Sequence, residues 1–181
     1  MSEINNLQNL FDQTLERVQT LGGGAYPYKQ YGMLRELVSV NKSEKILECG
    51  AAIGLTSIAI ALGNDQAEII SLDRNAEDLV LAAENATKYG VSEQIEYVQG
   101  EFLDLVAGLE SKTFDLVFFD GFAPGLTIFL ELERVLKSGG HMVCANLTLG
   151  GDQKKIRAKM MDEKFYTESR EFEDTLVGRK V

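Results

Sequence analysis

The stretch Ile46-Leu47-Glu48-Cys49-Gly50-Ala51-Ala52-Ile53-Gly54-Leu55-Thr56 runs from apolar residues through an acid to two glycines that open a helical pattern. Ile46 and Leu47 read as a buried strand. Gly50 and Gly54 have no Cβ, and are expected to let a ligand lie against the backbone as the chain enters the next helix. Strand, glycine turn and helix in this order have the layout of a nucleoside-binding turn.

Upstream of that stretch, Ile4, Leu7, Phe11, Leu15 and Val18 recur at helical spacing behind Ser2, a good N-cap. This predicts a first helix ending near Gly22, then a Gly22-Gly23-Gly24 turn. A second helix is expected over Tyr31 to Val40, with Leu34, Leu37 and Val38 on its apolar face. Downstream the pattern alternates regularly: strand 46–49, helix 54–63, strand 67–72, helix 75–89, strand 94–98, helix 101–110, strand 114–119, helix 124–137 and strand 140–146. A helix over 152–162 and two β-rich segments, 164–171 and 174–181, complete the chain. Strands alternating with helices predict an α/β fold: a mostly parallel seven-stranded sheet with helices on both faces, closed by an antiparallel edge hairpin. Asn75, with Asp78 three residues on, caps one helix, and Gly90 ends it.

The 181 residues, 45% hydrophobic and 25% charged, suit one globular domain over 1–181, with N-terminal helices in 1–44 and the α/β core in 45–181. No apolar run reaches the roughly 20 residues that span a bilayer, and a secretory signal pattern is missing, so a cytoplasmic protein without membrane contact is expected. Cys49 and Cys144 sit in strand-like apolar segments and read as buried, reduced thiols. The net charge of −10 repels polyanions and disfavours nucleic acid as a partner. Lys154, Lys155, Arg157 and Lys159 form a local basic cluster, read as a solvated helix face.

In an open α/β sheet the ligand lies beyond the carboxyl ends of the strands, so four turns matter. The first, after Glu48, is expected to offer close backbone approach and the amide groups of a helix amino end. The second supplies Asp73, about twenty residues on, where a carboxylate can accept hydrogen bonds from ribose hydroxyls. The third is Gly100-Glu101-Phe102, an acid and an aromatic where an adenine would lie, although Glu101 also reads as a residue of a helix first turn. The fourth, Phe118-Phe119-Asp120-Gly121-Phe122-Ala123-Pro124, places Asp120 at the end of a strongly apolar strand, as a candidate for the reacting side of the pocket.

With these turns, Ile70-Ser71-Leu72-Asp73-Arg74-Asn75, Tyr97-Val98-Gln99-Gly100, Thr113 to Gly121 and Leu136-Lys137-Ser138-Gly139-Gly140, the chain resembles class I S-adenosylmethionine-dependent methyltransferases over about two thirds of its length. It is most similar to the metal-dependent small-molecule O-methyltransferases, the catechol and caffeoyl-coenzyme A type and their bacterial relatives. The resemblance implies a Rossmann-like methyltransferase fold and S-adenosylmethionine as cofactor. It implies that Gly50, Ala52 and Gly54 bound the methionine part, with Thr56 at a hydroxyl position, and that Asp73 holds the ribose. Glu101 and Phe102 would lie beside the adenine, Tyr28 would act as a lid or substrate contact, and Asp120 would face the transferring methyl group. The candidate cofactor-binding set is thus Tyr28, Glu48, Gly50, Ala52, Gly54, Thr56, Asp73, Gly100, Glu101, Phe102 and Asp120, with Asp120 also the candidate catalytic residue.

Two departures stand out. The family's lysine base, three residues after the acid, is Ala123 here, and its Asp-Asn metal pair after the fifth strand reads Ala145-Asn146. Asp120 and Asn146 would recruit Mg²⁺ only weakly, and no metal site is assigned. His141, at the entrance of the fifth strand and far from the ligand end, reads as structural or solvated rather than as a base. Lys29, Tyr26 and Tyr28 are better placed if the early loop folds over the pocket. Three functions follow: O-methylation of a small hydroxylated acceptor, a cofactor-binding or interaction module that has lost the chemistry, and modification of tRNA. The absence of an Asn-Pro-Pro-Tyr-like run, of a Pro-Cys nucleophile and of a strict Gly-x-Gly-x-x-Gly fingerprint disfavours other branches and dinucleotide dehydrogenases. A homodimer would be ordinary for such an enzyme.

Overall fold

The computed structural model describes residues 3–22 and 26–181, with side chains from Leu7 onward. The Ser2 cap, the Ile4 side chain and the Gly23-Gly24 turn lie outside the described residues. Helices α1 (Glu3–Leu21) and α2 (Tyr31–Asn41) precede the alternating part: β1 (Lys45–Cys49), α3 (Leu55–Ala61), β2 (Glu68–Asp73), α4 (Ala76–Tyr89), β3 (Ile95–Gln99), α5 (Phe102–Ala107), β4 (Phe114–Phe119), α6 (Leu126–Val135), β5 (Leu136–Cys144), α7 (Gln153–Met160), β6 (Tyr166–Phe172) and β7 (Thr175–Lys180). The seven strands form one sheet in the order β3-β2-β1-β4-β5-β7-β6. Strands β1 to β5 pair in parallel, while β7 runs antiparallel to both β5 and β6. This is the expected mostly parallel sheet with an antiparallel edge hairpin.

Both faces of the central strands are apolar because both are covered. Along β4, Leu116 and Phe118 join Ile46, Leu34, Val38 and Ile58 in a core beneath α1, α2 and α3. Val117 and Phe119 point the other way, to Leu47, Phe129, Leu132 and Ile156 beneath α6 and α7. On α1, Leu7, Leu10 and Thr14 are buried, with Phe11, Leu15 and Val18 flanking them. The cap of α4 is as expected: the Asn75 side chain accepts from the backbone N–H of Glu77 and Asp78, and Gly90 ends the helix at φ 73°.

Two boundaries move. Helix α6 stops at Val135 and β5 begins at once, so Lys137-Ser138-Gly139 lie inside the strand. A two-residue step along β4, Phe114 to Leu116, faces a five-residue step along β5, Leu136 to His141. This bulge is held by Lys137 Nζ donating to Asp115 Oδ1 at 2.6 Å. The basic residues of α7 are also less free than expected. Lys155 pairs with Asp152, Arg157 with Glu171 of β6 and Lys159 with Glu133 of α6, so that face is largely neutralised. Cys49 and Cys144 are buried free thiols, as expected, and burial pushes the Cys144 thiol up to about 12. Among the described residues no helix is long and apolar enough to cross a membrane.

Candidate active site at the sheet switch point

Strand β1 sits between β2 and β4, and the chain winds outward from it in both directions, so a crevice opens beyond the carboxyl ends of β1 and β4. The backbone ties these ends together: Asp120 N–H donates to Cys49 C=O at 2.8 Å, and Gly50 N–H donates to Leu72 C=O at 2.8 Å. Gly50 has φ 114°, and a Cβ there would stand 2.8 Å from the backbone oxygen of Asp120. At Gly54, φ 93°, a Cβ would meet the Tyr97 hydroxyl at 3.0 Å and Ala82 of α4 at 3.2 Å. These glycines thus have a reason that the sequence does not show: they let the turn pass against β4 and α4, where a side chain would strike protein.

The turn also uses most of its own donors. Gly50 and Ala51 N–H both reach Leu72 C=O, and Gly54 N–H reaches Ala51 C=O. Ala52 N–H donates to Asp73 Oδ2 at 2.9 Å, while Asn75 N–H donates to Asp73 Oδ1 at 3.0 Å. The glycine turn's own amides are thus largely engaged within the protein, while the first intrahelical bond of α3 is Ile58 N–H to Gly54 C=O, so any amide cradle belongs to the helix amino end at Leu55–Ser57 rather than to Gly50. Each Asp73 oxygen has one protein partner, and a carboxylate has about four acceptor sites, so Asp73 retains capacity for hydroxyl donors.

A cavity of about 130 Å³ lies here, lined by Asp73, Asp120, Gly50, Ala52, Thr56 and Tyr28 of the expected set. Its other walls are Thr14 and Val18 of α1, with Tyr26, Pro27, Ala51 and Leu55. The α1 wall was missed in the sequence, although Thr14 and Val18 stand one helical turn apart on the face next to the core. Gly100 adjoins the cavity rather than lining it, its N–H donating to Asp73 C=O at 3.0 Å. Phe102 packs edge-on against Phe119 with centroids 6.0 Å apart, so it belongs as much to the core as to the crevice. Glu101 is exposed and immediately precedes α5 without a capping bond, so it is not a first-turn residue. A larger cavity, about 550 Å³, is lined by Lys45, Glu68, Ile95 and Phe114 near the amino ends of the strands. That is the wrong end for a ligand of this fold.

Glu48 is fully buried and makes no surface of the cavity, so its expected direct contact with a cofactor is replaced by a position beneath the floor. It accepts a short hydrogen bond from the Ser71 hydroxyl on Oε2, while Oε1 has no partner among the described residues. Burial raises its carboxyl to about 7, with Ser71, Thr56 and Ser57 pulling in the opposite direction. Asp120 keeps part of its surface on the cavity, yet burial lifts its pKa well above the ordinary value. The charges of Glu48 and Asp174 add to that rise, and a hydrogen bond from Asn146 opposes it. The Tyr28 ring packs at a tilt of 54° against Phe118, with centroids 4.9 Å apart, and Tyr28 is 7% exposed. Its hydroxyl lies near Thr175 but outside hydrogen-bonding geometry, and among the described residues it has no partner. Burial above all, then the charges of Asp120 and Asp174, raises its pKa.

Asn146, at φ 60°, donates through Nδ2 to Asp120 Oδ1 at 3.0 Å and to the Gly121 carbonyl at 2.8 Å. Ala145 is buried at 1% exposure among apolar neighbours. Lys29 Nζ lies 4.8 Å from the centroid of the Tyr26 ring. His141 is buried in the sheet, opposite Leu116 and Arg179, which makes its role structural. Among the described residues no group of three His, Cys, Asp or Glu side chains converges as a metal site.

A family model described as a methyltransferase domain matches residues 40–178 of the chain. The chain belongs to this methyltransferase family. Among curated relatives, a catechol O-methyltransferase of Mycobacterium tuberculosis is 27% identical over 117 residues, 64% of this chain and 53% of the relative. A demethylmenaquinone methyltransferase of Bacillus pumilus is 34% identical over 128 residues, 65% of this chain and 53% of the relative. The methyltransferase chain thus spans about half the length of these curated relatives. The crystal structure of an SAH-bound methyltransferase from Podospora anserina superposes with a TM-score of 0.78, covering 97% of this chain and 87% of that one. At 20% identity this likeness is one of fold, and it agrees with the Rossmann-like methyltransferase fold that the sequence implied.

Proposed function

We propose that this chain, acting as one domain over 1–181, binds S-adenosylmethionine at the β1/β4 crevice and transfers its methyl group to the hydroxyl of a small acceptor. The observation that carries the reading is the pairing of two carboxylates across that crevice: Asp73, bonded to the turn yet with acceptor sites to spare, and Asp120, held on the acceptor side. The cavity is smaller than the roughly 300–1,000 Å³ of complete small-molecule pockets, so it suits the end of the cofactor next to Asp120. The remainder would follow the open edge past Asp73 to Gly100, Glu101 and Phe102.

Bound there, S-adenosylmethionine would supply an electrophilic methyl on a sulfonium sulfur that keeps the bonding electron pair when the methyl leaves. Asp73 would accept the ribose hydroxyls, and Thr14, Val18 and Tyr28 would exclude water from the reacting end. Asp120 is the carboxylate left for the acceptor: with Oδ1 held by Asn146, its Oδ2 receives the proton that the attacking hydroxyl gives up. Holding donor and acceptor in line supplies up to roughly 7–11 kcal/mol of the barrier reduction, so the chemistry does not require the lysine that Ala123 replaces. The names of the relatives, catechol O-methyltransferase among them, support the hydroxylated acceptor. The net charge of −10 speaks against tRNA as the acceptor; cytoplasmic location and homodimerisation belong to the same reading.

Calorimetric titration with S-adenosylmethionine, followed by an acceptor panel with catechols, tests it. Binding with methylated product is expected, and no binding at millimolar cofactor would overturn it. Ala123 and Ala145 favour a second reading, a module that binds the cofactor without turnover. Turnover in the panel would eliminate that module.

A further inference from the structure

The divalent ion of the resembling family does not fit the residues present. We infer that in this chain the side-chain amide of Asn146 takes the place of a metal ion, fixing Asp120 for an acceptor without any divalent cation. The inference rests on the reading of Asp120 as the acceptor-facing group.

Asn146 Nδ2 has two donor hydrogens and two acceptors, Asp120 Oδ1 at 3.0 Å and the Gly121 carbonyl at 2.8 Å. Turning the amide over would set its oxygen against both of those oxygens, so only the orientation with nitrogen inward is satisfied. A hard cation binds oxygen. To offer its oxygen beside Asp120, Asn146 would have to abandon both hydrogen bonds. Gly121 is packed closely as well, since a Cβ there would stand 2.6 Å from the Phe119 ring and 2.9 Å from the Phe102 ring. The left-handed backbone at Asn146, φ 60°, is one that asparagine tolerates better than most residues, and it directs the amide into the site. The neighbouring position offers no ligand either, since Ala145 is a buried methyl in the core. Hydrogen bonding by one amide thus performs the orienting task that a cation performs elsewhere, and Asn146 is a positioning residue.

The test is Mn²⁺ binding, followed by electron paramagnetic resonance on the full chain with and without S-adenosylhomocysteine. The wild-type chain should show no site filled at millimolar Mn²⁺, whereas N146D, which sets two carboxylates about 3 Å apart, should gain one. Wild-type binding that disappears in D120N would overturn the inference, as would a folded N146D that binds no ion. A second arm needs no folded N146D: in N146A, kcat should fall at least ten-fold while the S-adenosylhomocysteine Kd stays within two-fold. Mg²⁺ should not restore that loss, and chelator should leave wild-type turnover unchanged. Restoration by Mg²⁺, or loss with chelator, would overturn the inference. Failure of S-adenosylhomocysteine to bind would sink the methyltransferase reading alone, because the Mn²⁺ result on the free chain still decides the question of the ion.

Discussion

Asp73 Oδ2 accepts the backbone N–H of Ala52 at 2.9 Å, joining the carboxyl end of β2 to the glycine turn that follows β1. The bond holds Ala52 at φ 43°, a left-handed conformation that a non-glycine residue adopts only when its surroundings require it. One carboxylate thus shapes the turn and keeps acceptor sites for a ligand.

Asp73→Ala is therefore expected to weaken S-adenosylhomocysteine binding by at least ten-fold, about 1.4 kcal/mol, with a smaller loss of stability. Calorimetric titration checks the first and urea unfolding the second. An unchanged Kd would remove Asp73 from the site.

Glu48 gives a pH dependence of stability. Its carboxyl rises from 4.5 in the unfolded chain to about 7 in the native state, chiefly through burial. The native state holds this proton more tightly, so its contribution is complete below pH 4.5, is lost as pH rises toward 7, and is constant above that. Glu48→Gln should match the wild type near pH 4.5 and exceed it at pH 8 by up to about 3 kcal/mol. Urea melts at the two values check this, and an advantage that grew toward acid pH would refute it.

The glycines differ in what they tolerate. At Gly50 an added Cβ meets the backbone oxygen of Asp120 at 2.8 Å, whereas at Gly90 it meets nothing within 4 Å. Gly90→Ala is expected to cost about 1 kcal/mol, from the left-handed backbone alone. Gly50→Ala adds overpacking and should cost about 2–4 kcal/mol. Equal melting midpoints for the two variants would contradict this.

Tyr28 carries a buried hydroxyl that has no hydrogen-bond partner among the described residues. Removing such a group relieves a desolvation cost, so Tyr28→Phe should leave stability unchanged or raise it by about 1 kcal/mol. If the hydroxyl is completed by the cofactor, the same variant binds S-adenosylhomocysteine about five-fold more weakly. A loss of stability beyond about 1 kcal/mol would show instead that the hydroxyl bonds Thr175 in solution.

Most of the fold was legible because its signals are local. The alternation of apolar runs with glycine-punctuated helical stretches located every strand, and Asn75 and Gly90 marked the ends of α4 as they stand in the structure. The boundary between α6 and β5 was not legible. The bulge that absorbs Lys137-Ser138-Gly139 depends on Asp115, twenty-odd residues earlier in the chain. In the site, the sequence places Asp73 and Asp120 at strand ends, and the structure sets both on one cavity, because strand ends in a parallel sheet converge by topology. The burial of Glu48 was hidden, since an acid at the end of an apolar run reads the same whether its side chain meets solvent or Ser71.

The sequence by itself determined the order of elements, the parallel sheet and the position of the crevice, all of which follow from periodicity and turn chemistry within a few residues of each other. Only the tertiary structure decided why Gly50 and Gly54 must be glycine, which helix walls the cavity and what holds Asp120. Those answers rest on the proximity of residues far apart in the chain: Gly50 to Asp120, Thr14 to the cavity that the β1 turn lines, and Asn146 to Asp120. No local pattern encodes proximity of that kind.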